Sequence, residues 1–169
     1  MVLTTHAVLG SALASALRLS PPLAFVAGLA SHYLLDTIPH WDYELASAKI
    51  DSDNPLNNEI DTRGWPFTVD LAKVGLDACL GLGLSLFFFG WSGEATIISL
   101  IFASLGGVLP DVLQFAYTQM RREPFVVIQR FHNLMHAKTK ITNAGLGVFL
   151  HCVLIILALV LGNWFYFTF

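Results

Sequence analysis

The chain has 169 residues, 55% hydrophobic and only 12% charged, with mean hydropathy +0.64, net charge −3 and a pI near 6.0. A soluble domain of this length carries about 25% charged residues, so the excess apolar surface belongs against lipid. No strongly basic block is present, which excludes nucleic-acid binding by phosphate neutralisation, and the length suits a single membrane-embedded domain, 1–169.

Residues 5–19 form a short Ala- and Leu-rich segment, marginal as a membrane span. There is no basic region ahead of it, and the first Arg is Arg18, so it does not read as a signal peptide. Ser20, Pro21 and Pro22 break it, and 22–38 predicts a second helix that ends near Pro39. Residues 41–66 are polar, acidic and turn-rich, a solvated loop with room for a short surface helix. The DSDN cluster in this loop lacks the glycine and terminal Glu spacing of an EF-hand. Residues 67–89 predict a third helix, with Phe87, Phe88, Phe89 and Trp91 at its lipid-interface end. GWSGE turns the chain, with Glu94 as a charge at the start of a fourth helix over 94–118. The stretch 119–140 is amphipathic and basic and predicts a helix lying on the membrane surface. Residues 141–165 are the last span, ending in Trp164, Phe165, Tyr166 and Phe167. The expected architecture is all-α, a small polytopic bundle of about five membrane segments plus one interfacial helix.

In that topology the N-terminus, the loop 41–66 and the segment 119–140 share one side. That side holds Lys49, Arg63, Arg121, Arg122, Arg130, Lys138 and Lys140, against Arg18 alone on the other. The positive-inside rule makes the crowded side cytoplasmic. Cys79 and Cys152 sit in apolar runs with no zinc spacing and are expected as buried thiols.

The polar residues of the helices converge on the same side. His32 and Asp36 are four apart on one helix face, as are His132 and His136. His6 begins the first helix, His40 and Asp42 follow the second, Asp70 and Asp77 lie early in the third, and Asp111 follows Pro110 late in the fourth. An ionised carboxylate in the bilayer costs about 2.5–3.5 kcal/mol on insertion scales unless it finds a partner. Lys73 is the lone cation within the third helix. A divalent metal answers such carboxylates fully, because His nitrogens and Asp oxygens are its usual ligands. The expected ligands are His6, His32, Asp36, His40, Asp77, Asp111, His132 and His136, with Asp42 and Asp70 as general-base candidates and Arg121, Arg122 and Arg130 as phosphate holders. Zinc is the first choice of ion, with manganese or iron also suited to mixed N/O ligation. His151, mid-helix in another span, reads as a hydrogen bond between helices. The two glycines of GGVLPD permit close helix approach.

HYLLDTIPHWD at 32–42, His6 in THAVLG, GGVLPD at 106–111 and HNLMH at 132–136 resemble the small bacterial and archaeal membrane-bound metal-dependent hydrolases, a family that includes an inner-membrane protein under damage-response control. The resemblance implies a small bundle of membrane helices with His6, His32, Asp36, Asp111, His132 and His136 at a metal. HYLLDTIPH is also similar to the HFxGDxxQPLH segment of zinc-dependent phospholipase C, although His40 follows Asp36 by four residues where that pattern wants six. The expectation is a metal-dependent hydrolase in a bacterial or archaeal cytoplasmic membrane. It would cleave a phosphoester of a lipid or polyprenyl phosphate at the cytoplasmic face by activating water. A divalent-cation or proton transporter and a bundle locked by a structural metal are the alternatives.

Overall fold

The computed structural model describes residues 2–91 and 96–168, with side chains through Trp164. The GWSGE turn, Glu94 and the terminal Phe165, Tyr166 and Phe167 side chains fall outside what is described. The chain is 72% helical. Its elements are α1 (Leu3–Ala16), α2 (Pro21–Asp36), β1 (Ala48–Lys49), a 3-10 turn (Pro55–Asn57), β2 (Glu59–Ile60), α3 (Gly64–Phe89), α4 (Ile97–Met120), α5 (Phe125–Met135) and α6 (Ala144–Thr168).

Among the described residues, three helices are long and apolar enough to cross a membrane, namely α3, α4 and α6. This corrects the expectation of about five spans. With 14 and 16 residues, α1 and α2 rise only about 21 and 24 Å, short of a hydrocarbon core of about 30 Å. They form a hairpin in which α1 is enclosed by the bundle, whereas α2 packs on α1 and α4 and leaves Leu23, Val26 and Leu34 exposed. α1 is the central element, buried along most of its length and in contact with α2, α3, α4 and α6. Its apolar residues face protein, whereas α3 and α6 turn Leu76, Leu80, Phe87, Phe149, Leu157 and Val160 outward. Cys79 and Cys152 ride on those outward faces and are exposed. The expectation of buried thiols therefore fails, because an apolar run on a lipid-facing helix marks the outside of the protein.

Small residues set the closeness of the hairpin to α4. A Cβ on Gly28 would collide with the carbonyl oxygen of Ala103, one on Gly106 with that of Phe25, and one on Gly107 with that of His6. Small side chains of this kind let backbones touch where no hydrophobic driving force separates helix from lipid. The apolar core proper is small, with Val8, Ala12, Phe89, Leu100 and Ala158 at the end of the bundle away from the histidines.

The loop before α3 carries a two-residue antiparallel ribbon and a 3-10 turn where a short surface helix was expected. The ribbon pairs Ala48 with Ile60 and Lys49 with Glu59. Asp51 organises the turn, accepting from the backbone N–H of Asp53 and Asn54 and from the Asn57 amide. The DSDN cluster is thus an Asx-type turn. Arg121, in the left-handed conformation (φ 46°) that ends α4, donates to the carbonyls of Leu56, Asn57 and Asn58.

A candidate metal centre at one end of the bundle

α1 and α3 begin, and α2 and α4 end, at the same end of the bundle, so residues from both helix starts and helix ends meet there. His6 comes from the first turn of α1, His32 and Asp36 from the last turns of α2, and Asp111 from α4. His132 lies on α5 and His136 caps it. The chain after α2 adds His40 and Asp42.

Asp36 is the hub. Its Oδ1 lies 3.3 Å from His6 Nε2 and 3.8 Å from His40 Nε2. Its Oδ2 lies 3.1 Å from His32 Nε2 and 3.7 Å from His132 Nε2. Asp111 Oδ1 sits 4.0 Å from His32 Nε2 and 3.9 Å from His132 Nε2. Farther out, Asp42 Oδ1 lies 3.4 Å from His40 Nε2, and Lys140 Nζ pairs with Asp42 Oδ2 at 3.1 Å. Among the described residues, four overlapping groups bring ligand atoms close enough to share a metal ion: His6–His32–Asp36, His32–Asp111–His132, Asp36–His132–His136 and His40–Asp42–His136.

The tautomers follow from the backbone. His32 Nδ1 lies 2.7 Å from the Gly107 carbonyl, and His40 Nδ1 lies 2.8 Å from that of Ile38. A carbonyl only accepts, so Nδ1 carries the proton in both rings. In the neutral ring Nε2 then has a lone pair, and in both it faces carboxylate oxygens. His136 Nδ1 approaches the Ala137 carbonyl more loosely, at 3.3 Å. A ring N–H donated to a carbonyl while the other nitrogen faces inward is the usual arrangement around a ligating histidine. His6 is fully buried with neither ring nitrogen hydrogen-bonded, and His132 Nδ1 and His32 Nε2 are likewise buried without a hydrogen bond. Nitrogen lone pairs aimed at carboxylates repel unless a ring proton or a metal cation lies between them, and a divalent ion fits this donor set. Burial, then the neighbouring His32, pulls the pKa of His132 down to about 4. That ring is therefore neutral at pH 7.

The cluster is graded. His6, His32 and Asp36 are sealed, whereas Asp42 and Asp111 keep 28% of their side-chain surface exposed. Its inner end is dry and its outer end open.

Several expected site residues lie elsewhere. Asp77 accepts from Leu3 N at 2.7 Å, Thr4 N at 3.1 Å, Thr4 Oγ1 at 2.6 Å and Tyr43 OH at 3.2 Å. It caps the N-terminus of α1 from a different helix, where the residue at the cap position, Val2, has no side chain that can accept. A carboxylate at a helix N-terminus meets both the unpaired N–H groups and the positive end of the helix dipole. Asp70 accepts from Ser47 N and Oγ and from Lys73 Nζ, which ties the loop to α3 away from the cluster. Arg121 is committed to the loop carbonyls, and Arg122 and Arg130 are exposed. The cation beside the cluster is Lys140, which nothing in its sequence setting distinguishes. His151 donates its Nε2–H to the Trp41 carbonyl and bonds through Nδ1 to Thr5 Oγ1, each at 3.0 Å. With both nitrogens used, it links α6 to α1 and to the chain after α2.

No protein-family model, curated protein or solved structure matches the chain.

Proposed function

We propose that this protein is a membrane-embedded, metal-dependent hydrolase acting on a phosphoester at the lipid interface. The observation that carries the reading is the gradation of the His/Asp cluster from a sealed inner end to an open outer end. A structural metal is closed off by protein ligands, whereas a catalytic one keeps a position for water or substrate. His6, His32, Asp36, Asp111, His132 and His136 would hold the metal, with His40 and Asp42 at its outer edge. The donors are numerous enough for two ions, one toward His6, His32 and Asp36 and one toward His40, Asp42 and His136. A divalent ion held there supplies Lewis acidity, making water nucleophilic near neutral pH and steadying charge on a phosphoryl oxygen. Where Asp42 is not itself a ligand, its carboxylate would take the proton from that water once an arriving phosphate draws Lys140 away from it. Asp70 is not used, since its oxygens are taken by Ser47 and Lys73. Zinc suits the histidine-rich set, and manganese or iron the carboxylate share.

The resemblance to small membrane-bound metal-dependent hydrolases supports the same reading. The basic residues around the cluster support placing it on the cytoplasmic side of a bacterial or archaeal membrane. The transport alternative finds little support. In the opposite half, Ser85 donates to the Gly81 carbonyl, Ser99 pairs with Thr96 and Ser104 with Ser11 of α1, so these hydroxyls are spent on bonds within and between helices.

The test is release of phosphate or phosphomonoester from mixed phospholipid and polyprenyl phosphate substrates, with and without chelator. Chelator-sensitive release that Asp36→Asn abolishes is the expected result. No such release from any of these substrates would overturn the phosphoester reading.

A further inference from the structure

A cavity of about 480 Å3 opens beside the outer end of the cluster. That volume lies in the range of small-molecule sites, about 300–1,000 Å3. Its floor is apolar, built by Phe67, Leu71 and Val74 of α3 and by Val112 and Phe115 of α4. Its roof is the ribbon, and here a polar loop departs from its own composition. Leu45, Ile50 and Ile60 line the cavity, and Ile50 is 73% exposed. These three side chains give one face of an otherwise acidic loop an apolar lining. Asp42, Asp111, His136 and Lys140 line the same cavity. It therefore joins the metal-ligating groups and one cation to a mainly apolar trough, which Asp70, Gln114 and Thr118 also border.

From this continuity we infer that the trough between α3, α4 and the ribbon is a binding site for the apolar chain of an amphiphile. The anionic head of the ligand lies at the outer end of the cluster against Lys140. The inference rests on the phosphoester reading and narrows it. A small water-soluble phosphoester would leave the trough unfilled, whereas an acyl or prenyl phosphate fills both parts. Leu71 and Val112 are 58% and 51% exposed on helices of membrane length, so the trough is continuous with the surface that meets lipid. A chain can enter sideways from the bilayer without its head leaving the interface. Lys140 is held by Asp42 at 3.1 Å, and an arriving phosphate competes with that carboxylate for it.

The test uses an alkyl phosphonate with a photoreactive diazirine midway along its chain, so that no turnover is read. Metal-loaded protein in lipid nanodiscs is irradiated with this probe, and the labelled residues are mapped by peptide mass spectrometry. Labelling is expected at Leu71, Val74, Val112 and Phe115, several-fold above the outward Phe149 and Leu157 of α6. It should fall several-fold in Val74→Trp and in Val112→Trp, with metal content at the wild-type level showing that each variant has folded. It should also fall in Lys140→Ala, and for a probe with the same chain and an alcohol in place of the phosphonate. Methylphosphonate, which has the head without a chain, should compete poorly. Equal labelling of α6 in the wild-type protein, which needs no variant to fold, would overturn the inference, because the probe would then only be partitioning into lipid. Strong competition by methylphosphonate would overturn it too. Trough labelling without chelator-sensitive phosphate release would retain the chain site and sink the hydrolase. Release without trough labelling would do the reverse.

Discussion

His32 donates its Nδ1–H to the Gly107 carbonyl at 2.7 Å, and this bond turns Nε2 toward Asp36 and Asp111. A ring fixed by α4 presents its lone pair to carboxylates on α2 and α4 together. Protein purified in mild detergent and supplied with divalent ion should accordingly hold up to two ions per chain by elemental analysis. His32→Ala should lose the inner ion, His136→Ala the outer, and Asp36→Asn should weaken both, since Asp36 belongs to an inner and an outer group. Wild-type protein that retains no divalent ion after supplementation contradicts this.

Asp77 bonds to three donor atoms of Leu3 and Thr4, so it positions His6 without touching the cluster. Asp77→Ala strands buried N–H groups at the start of α1, a cost of about 1–3 kcal/mol. Thermal unfolding in detergent should show that loss together with weaker metal binding. Asp77→Asn, which still accepts through its amide oxygen, should recover part of both. An unchanged melting temperature in Asp77→Ala would exclude the capping role.

Gly28→Ala drives a Cβ into the Ala103 carbonyl, which cannot retreat, because it is part of α4. Overpacking of this kind costs about 1–3 kcal/mol, and the shift of α2 it forces should also lower metal occupancy. Gly75→Ala is the control. Nothing lies within 4 Å of a Cβ there, and alanine is the better helix former. Its melting temperature should equal or exceed that of the wild type.

The turn around Asp51 should depend on pH. Hydrogen bonds from Asn57, Asn54 and Asp53 hold the Asp51 pKa below its usual value. A depressed carboxylate pKa contributes stability above its unfolded value that is lost as pH falls through the folded one. Acidification below about pH 4 should therefore loosen residues 51–58 while the helices persist. Limited proteolysis of that segment should rise at low pH, and at neutral pH in Asp51→Ala or Arg121→Ala. Equal cleavage of wild-type and Arg121→Ala protein would show that the guanidinium does not hold the turn.

Topology can be read with Cys79→Ser/Cys152→Ser as background, since both native thiols are exposed. Single cysteines at Asn57 and Lys138 should label from the same side, and only after the cytoplasmic face is made accessible. Labelling of either from the outside of intact cells would reverse the orientation.

The convergence of His6, His32, Asp36, Asp111, His132 and His136 was legible in the sequence, because i,i+4 spacing and the ends of apolar runs both report which side a group lies on. The number of spans was not. Hydropathy treats a protein-buried helix and a lipid-facing one alike, and α1 is the former. Asp77 was misread for a related reason. A carboxylate deep in an apolar helix demands a partner, but its partner was the end of another helix, about seventy residues away in sequence, and no local pattern records that. Arg121 looked like a phosphate holder because its charge is visible in the sequence while its three carbonyl acceptors are not. Lys140, in coil, had no periodicity to mark it.

The trans-cap on α1 also dictates an order of assembly. α1 precedes α3 in the chain, but its 14 residues are too few to cross the bilayer, and the carboxylate that satisfies its first turn lies on α3. Unpaired N–H groups in hydrocarbon cost several kcal/mol each, so the hairpin of α1 and α2 has no stable seat until α3 and α4 have been inserted around it. A hairpin made before α3 and α4 is thus seated only after them, and it carries His6, His32 and Asp36. The inner half of the cluster thus comes into being only when the bundle closes, so on the metal-dependent reading proposed above metal uptake would report completed insertion.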